Sequence, residues 1–289
     1  MQIIDGRALA EKIKDEIVKE IAGNRKGLDL VNCPRPNLAI ILVGDREDSE
    51  LYVSLKEKEA KKVGIDTHLY RCEENISERE LLDTIGFLNN DDSIDGILVQ
   101  LPLPENFDTD KIIRAIALKK DVDGFHPDNL NKIINSCNHD GITPPVFGVV
   151  LEMLKSVNYD LKGEQVCVLA NSDIFGKSLA KILECRGAKV EVVKSDDVNL
   201  EKKTKEADLL ITALGRAQFV KREMLKDGAI IIDIGIAKED GKVYGDVDFD
   251  DASEVASFIT PVPGGVGPMT IAMAFKNTLE LYKKRRKDC

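Results

Sequence analysis

Two periods of apolar residues alternate along this chain. In the first half, strand-like runs stand at 38–43 (LAIILV), 66–72 (DTHLYRC) and 95–101 (DGILVQL). Segments of helical period near 7–22, 49–63, 77–89 and 108–118 surround them. The rhythm stops in a loop-rich stretch from Asp121 to Pro145, which holds DVDGFHP and GITPPVFG and is where the chain is expected to leave its first domain. It restarts at 164–170 (EQVCVLA), followed by a helix beginning near Gly176 and by strands at 188–193, 207–214 and 228–235. Alternating strands and helices predict an α/β protein, and runs this rich in Val, Ile and Leu predict a parallel sheet covered on both faces. TPVPGGVGPMT (260–270) then breaks the pattern before a long last helix, roughly 268–287.

One helix breaks its own pattern. In SELYVSLKEKEAKKVG (49–64), Tyr52, Lys56, Ala60 and Val63 fall on a single stripe, because a helix repeats about every 3.6 residues. That stripe normally turns inward. Lys58, Lys61 and Lys62 lie off it and read as solvated charges. Lys56 reads as a lysine placed for a purpose.

Composition narrows the picture. A chain of 289 residues suits two domains of ordinary size. No apolar run approaches the ~20 residues that span a bilayer, and MQIIDG has neither the basic start nor the apolar core of a signal peptide; a cytoplasmic protein with no membrane partner is expected. A formal charge of −10 argues against nucleic acid. Cys33, Cys72, Cys137, Cys167, Cys185 and Cys289 are scattered without a Cys-x-x-Cys pair, and His68, His126 and His139 share no ligand spacing. Free thiols are expected, with neither a disulfide framework nor a metal. The basic run KKRRK at Lys283–Lys287 reads as a complement to the last helix's dipole rather than a targeting signal.

Four stretches carry candidate chemistry, each with a plainer alternative. VCVLANSDIFGKSLAKILECRGAKVEVV is strand, turn, helix, strand, the opening of a dinucleotide-binding unit. Only Gly176 of a glycine fingerprint is in place, so the unit could equally bind nothing. Gln100 ends a buried strand in DGILVQLPLP, where it could face a crevice or simply cap the strand. Asp121 and Asp123 lie in the turn of KKDVDGFHP; acidic turn residues usually bond their own backbone, and the functional alternative is a carboxylate for an amino-bearing heterocycle. PVPGGVGPMT fixes an irregular backbone just before a helix, which suits close approach of main chain to a ligand.

Taken in order and spacing, SELYVSLKEKEAKKVGI, DGILVQLPLP, KDVDGFHP and TPVPGGVGPMT resemble the bifunctional methylenetetrahydrofolate dehydrogenase/methenyltetrahydrofolate cyclohydrolase (FolD-type) family, from IIDGRALA at Ile3 to the last helix. The resemblance implies two three-layer α/β domains flanking a cleft, the second a Rossmann-type NAD(P)-binding domain with a parallel sheet. The expected boundaries are 1–145 for the catalytic, folate-binding domain and 146–269 for the Rossmann domain, with the last helix, about 270–289, packing back on the first. It implies oxidation of 5,10-methylenetetrahydrofolate with NADP+, hydrolysis of the methenyl product to 10-formyltetrahydrofolate, a tetrahydrofolate substrate, no metal, and a homodimer. Lys56 is then the proton-transferring group, Tyr52 lies along the folate rings, Gln100 holds the lysine, and Asp123 binds the aminopyrimidine edge. Leu101, Pro263 and Gly264 complete the substrate set. Ala170, Asn171, Ser172, Ile174, Gly176, Lys194, Ser195, Ile234, Gly235, Ile236, Gly267 and Thr270 correspond to the cofactor set.

Departures gather at the cofactor end. Where the family reads Gly-Arg-Ser-x-x-Val-Gly-x-Pro, this chain reads ANSDIFGKS (170–178), keeping only Ser172 and Gly176. Loss of the arginine removes a cation suited to the 2′-phosphate of NADP, and Asp173 brings a negative charge close by. KSDDVN (194–199) adds Asp196 and Asp197, an arrangement nearer to NAD enzymes. NAD is thus the alternative cofactor, a cyclohydrolase without its dehydrogenase step the alternative activity, and a non-catalytic folate-binding relative the third reading.

Overall fold

A computed structural model describes residues 1–24, 34–137 and 141–286. Cys33, His139, Lys287 and Cys289 lie outside the described residues. In chain order, β1 (Gln2–Ile3), α1 (Gly6–Asn24), β2 (Asn37–Val43), α2 (Glu47–Val63), β3 (Asp66–Cys72), α3 (Glu78–Asn90), β4 (Gly96–Val99) and α4 (Thr109–Ala115) come first. Then follow α5 (Pro127–Asn135), α6 (Pro145–Ser156), β5 (Gln165–Ala170), α7 (Asp173–Glu184), β6 (Lys189–Val193), α8 (Leu200–Lys205), β7 (Leu209–Ala213) and β8 (Ile230–Asp233). β9 (Ala237–Glu239), β10 (Lys242–Tyr244), α9 (Phe249–Ala252), β11 (Phe258–Ile259) and α10 (Val266–Arg285) end the series.

The chain divides into two compact units, and not at a single cut. One contains Glu11–Leu130, Gly141–Pro145 and Ile271–Cys289; the other contains Met1–Ala10, Asn131–Asp140 and Val146–Thr270. In the first unit β2 is the central strand of a parallel sheet ordered β3-β2-β4. Leu38, Ala39, Ile40 and Ile41 are wholly buried on both faces of that strand, which is why its sequence is apolar without alternation. The last helix is tied to this unit by its basic end. Arg285 and Arg286 both bond the carboxylate of Asp95, a fully buried acid, at 3.0 and 3.2 Å. These two arginines of the basic run therefore neutralise a specific internal charge, a stronger role than complementing a helix dipole.

The second unit is a six-stranded parallel sheet ordered β1-β11-β8-β7-β5-β6. From β5 the chain steps to β6 on one side and then to β7 on the other. Such a reversal opens a crevice at the carboxyl ends of the strands. The short edge strand β1, from the start of the chain, pairs with β11 near its end through Gln2↔Phe258 and Ile3↔Ile259. Gly6 then runs so close to Gly265 that a β-carbon would fall 1.8 Å from the Gly265 carbonyl oxygen. The glycines of the 260–270 loop are thus needed partly for chain packing.

The expectation of free thiols fails at one pair. Cys72 and Cys167 are free, but Cys137, just after α5, is bonded to Cys185, the C-cap of α7, across 48 residues of sequence. Scattered cysteines gave no spacing signal, and only the return of α7 toward residue 137 brings the two together. A cross-link restricts the unfolded chain, so Cys185→Ser should lower stability by about 2–4 kcal/mol. Thermal unfolding of the variant against the parent, with and without reductant, checks this. Equal stability in all samples would mean that the link contributes nothing.

Candidate active site

In the first unit β2 is followed by β3 on one side and β4 on the other, so here too a crevice is expected at the carboxyl ends of the strands. α2, which leaves the end of β2, and Gln100, which ends β4, meet there. The backbone N–H of Gln100 donates to the Ile41 carbonyl at 2.8 Å and so stays registered to the central strand. Its side chain then makes two bonds. Oε1 accepts from Lys56 Nζ at 2.7 Å, and Nε2 donates to the Leu101 carbonyl at 2.6 Å. The second bond fixes the amide orientation and turns its oxygen to the lysine. Leu101 itself is exposed, and the peptide bond to Pro102 is cis.

Lys56 is half-buried on α2. Burial pushes its amine below the ordinary lysine range, and the charge of Asp123 partly offsets that. The Asp123 carboxyl is pushed up to about 6 by desolvation, against the pull of the Lys56 ammonium. Tyr52, one turn before Lys56, is 37% exposed and has its ring available on the same stripe. Ser49, a further three residues back, is almost completely buried, yet its hydroxyl has no hydrogen-bond partner among the described residues. The i, i+3, i+7 spacing of Ser49, Tyr52 and Lys56 would have flagged it, but a serine near a helix start reads first as a cap.

The two acids of the DVDG turn separate cleanly. Asp121 is buried and accepts from the backbone N–H groups of Gly124 at 3.0 Å and His126 at 2.8 Å, so it builds the turn. Asp123 carries the charge that acts on Lys56. Gly124 has φ +67°, and a β-carbon there would crowd the Ile142 carbonyl at 3.0 Å. Two asparagine amides stitch the turn down: Asn129 Nδ2 donates to the Gly124 and Ile142 carbonyls, and Asn277 Nδ2 to those of Val122 and Thr143. Sequence reading passed over both asparagines.

The second unit gathers the other candidates at the carboxyl ends of its strands. Ala170 closes β5 and is buried. Ser172 caps α7, accepting from the Phe175 N–H at 3.4 Å. Gly176 has a packing reason, because a β-carbon would meet Val192 of β6 at 2.5 Å. Phe175 packs edge-on against Phe147, with ring centroids 5.1 Å apart. Ile174 and Ile236 are exposed apolar residues, at 51% and 47%. Asn171 Oδ1 accepts from Ser195 N and Oγ at 3.1 and 3.0 Å, and Lys194 pairs with Asp173 at 2.8 Å. Of the two added acids, Asp197 is turned to Lys203, while Asp196 acts on Lys194 by charge alone. Pro263, after a cis peptide bond, and Gly264, at φ +115°, belong to this unit, as does Thr270, whose hydroxyl bonds the Gly267 carbonyl.

Ile234 and Gly235 lead away from β8 over a buried pair of carboxylates that sequence reading missed. Asp246 accepts from the Thr212 hydroxyl and from the N–H groups of Leu214 and Arg216, at 2.6–2.8 Å. Asp233 accepts from Gly235, Asp246 and Val247 N–H groups at 2.9–3.1 Å. Burial, with the neighbouring Asp246 charge, pushes Asp233 up to about 7.

No helix among the described residues is long and apolar enough to cross a membrane, and no group of three or more His, Cys, Asp or Glu among them could hold a metal ion. Residues 4–123 match the family model described as tetrahydrofolate dehydrogenase/cyclohydrolase, catalytic domain, and residues 144–286 match that of its NAD(P)-binding domain. The bifunctional protein FolD of Nitratiruptor sp. is 44% identical, with all of both chains covered. The crystal structure of the bifunctional FolD enzyme of Campylobacter jejuni superposes with a TM-score of 0.92 at 41% identity, over 99% of each chain. That of Trypanosoma brucei, complexed with NADP cofactor and inhibitor, does so at 0.89 and 34%, over 98% of this chain and 97% of that one. With both domain models matched in order and relatives of this closeness end to end, the chain belongs to the tetrahydrofolate dehydrogenase/cyclohydrolase family.

Proposed function

We propose that the protein oxidises 5,10-methylenetetrahydrofolate with NADP+ and hydrolyses the 5,10-methenyl product to 10-formyltetrahydrofolate. The observation that carries this reading is the Lys56–Gln100 hydrogen bond beside Asp123, in a setting that lowers the lysine pKa. Hydrolysis requires a base near the cationic methenyl carbon. A neutral Lys56 amine takes a proton from the water that adds to that carbon. It then returns that proton to the ring nitrogen whose bond to that carbon breaks, and the remaining hydroxyl proton of the adduct leaves to solvent as the formyl C=O forms. Gln100 aims the amine without adding charge. Asp123, ionised above about pH 6, offers a carboxylate to the aminopyrimidine edge of the substrate, and the exposed ring of Tyr52 supplies a face for stacking.

The second unit fits a dinucleotide. Its strand order reverses beside β5, and α7 starts there, capped by Ser172, with Gly176 packed close on β6. Ala170, Asn171, Ser172, Lys194 and Ser195 would hold the adenosine and phosphate parts. Ile174, Ile234, Gly235, Ile236, Gly267 and Thr270 would line the remainder. A bound NADP+ supplies the hydride acceptor. We further infer a homodimer, a reading that rests on the family resemblance, and a cytoplasmic location, which rests on the composition of the chain.

Purified protein is given 5,10-methylenetetrahydrofolate with NADP+ or NAD+, while a parallel sample follows hydrolysis of the methenyl compound. Reduced nicotinamide together with hydrolysis is expected. Hydrolysis without reduction would leave a cyclohydrolase alone, and neither would overturn the proposal.

A further inference from the structure

We propose that Asp173 is a specificity-determining residue, competing with the ribose 2′-phosphate of NADP for the ammonium of Lys194. This rests on the dinucleotide reading of the second unit. The groups at this corner can be named. Lys194 follows the end of β6, and its Nζ lies 2.8 Å from Asp173 Oδ1, on the first residue of α7. The pair is exposed, with the two side chains 51% and 59% accessible. Lys177 adds a positive charge felt by Asp173, and Asp196 a negative one felt by Lys194. Asn171, two positions earlier in the turn, is an uncharged amide whose side-chain oxygen accepts from Ser195.

The position is what gives the ion pair meaning. In a parallel sheet of this topology, the residue after the second strand of the opening βαβ is where enzymes distinguish a ribose 2′-hydroxyl from a 2′-phosphate. A cation there attracts the phosphate, whereas a carboxylate repels it. This chain places both at the same point and joins them. A 2′-phosphate must then displace an internal carboxylate that already neutralises Lys194 and must also tolerate its charge. A ligand without that phosphate encounters neither obstacle. Asp173 thus lowers the preference for NADP over NAD without touching the reacting carbon.

The two halves of the effect can be read in the absence of folate and of turnover. Titration calorimetry compares adenosine 2′,5′-bisphosphate with adenosine 5′-diphosphate on the whole protein. Asp173→Asn should tighten the bisphosphate by up to about fivefold, the upper end for releasing an exposed ion pair, and leave the diphosphate unchanged within the error of the titration. Lys194→Met should remove the advantage of the bisphosphate, and Asp173→Asn should gain nothing once Lys194 is gone. Equal tightening of both ligands, or none, with the parent still binding the diphosphate, would overturn the role of Asp173 alone. Failure of the parent to bind either ligand would overturn it together with the dinucleotide reading. Asp173 caps no neighbouring N–H among the described hydrogen bonds, so a change confined to the bisphosphate does not arise from loss of helix stability.

Discussion

Lys56→Ser is expected to slow hydrolysis of 5,10-methenyltetrahydrofolate by about a hundred- to ten-thousandfold, the range lost with a positioned acid–base group, in kcat more than in KM. The serine fits the helix and buries no charge. It does leave the side-chain Oε1 of Gln100 without its donor, a modest cost beside the catalytic one. A melting curve close to the parent's would therefore accompany the loss, and full activity would refute the assignment. The pH profile gives a second test. The base must be neutral, and burial places the Lys56 amine below the ordinary lysine range, so the rate should rise with pH and level off before that range is reached. The Asp123 carboxylate opposes this shift by stabilising the ammonium. Asp123→Asn should therefore move the rising limb to lower pH, although it also weakens folate binding. A limb that stays put or moves upward would show that the two groups do not interact as described.

The parts legible in the sequence were those in which one local pattern decides. β2, β5, β7 and β8 are buried on both faces along most of their length, so their runs are largely apolar and read as buried strands. Lys56 stood out because a helix stripe has a fixed direction, and a charge on an otherwise apolar stripe conflicts with it. What stayed hidden depends on residues far apart in sequence. β1 is two exposed residues whose structure comes from pairing with residues 258 and 259. α5 lies in the stretch whose composition predicts loop, since PDNLNKIIN opens with turn residues, and its Asn129 is held inward by the Gly124 and Ile142 carbonyls. The pairing of Asp173 with Lys194 joins a helix start to a strand end, so the sequence shows two opposite charges but not their contact. Asp233 and Asp246 sit thirteen positions apart, each beside apolar residues, and nothing local reveals that they share one buried network.

That network underlies the other large effect expected. Gly235→Ala should destabilise the nucleotide unit by about 3 kcal/mol or more, as breaking a buried charged network does. The reason is space rather than backbone freedom, since Gly235 is not among the glycines of positive φ. A β-carbon there would lie 2.0 Å from Asp246 Cγ and 2.1 Å from its Oδ1. The carboxylate cannot move aside without releasing the Thr212 hydroxyl and the N–H groups of Leu214 and Arg216, three donors that close the loop after β7. Gly245 guards the partner in the same way: its β-carbon would fall 2.1 Å from Asp233 Oδ2. Because both loops lie at the carboxyl ends of β7 and β8, the damage should reach dinucleotide binding even where the protein still folds. Thermal unfolding and calorimetric titration with adenosine 5′-diphosphate read the two consequences separately. Asp246→Ala provides the comparison, since it opens the space but orphans the same three donors. If Gly235→Ala melts with the parent and binds the diphosphate as tightly, the carboxylate is not the fixed post that its hydrogen bonds describe. If Asp246→Ala is as damaging as Gly235→Ala, and the double substitution no worse than either, the three donors are the common cause.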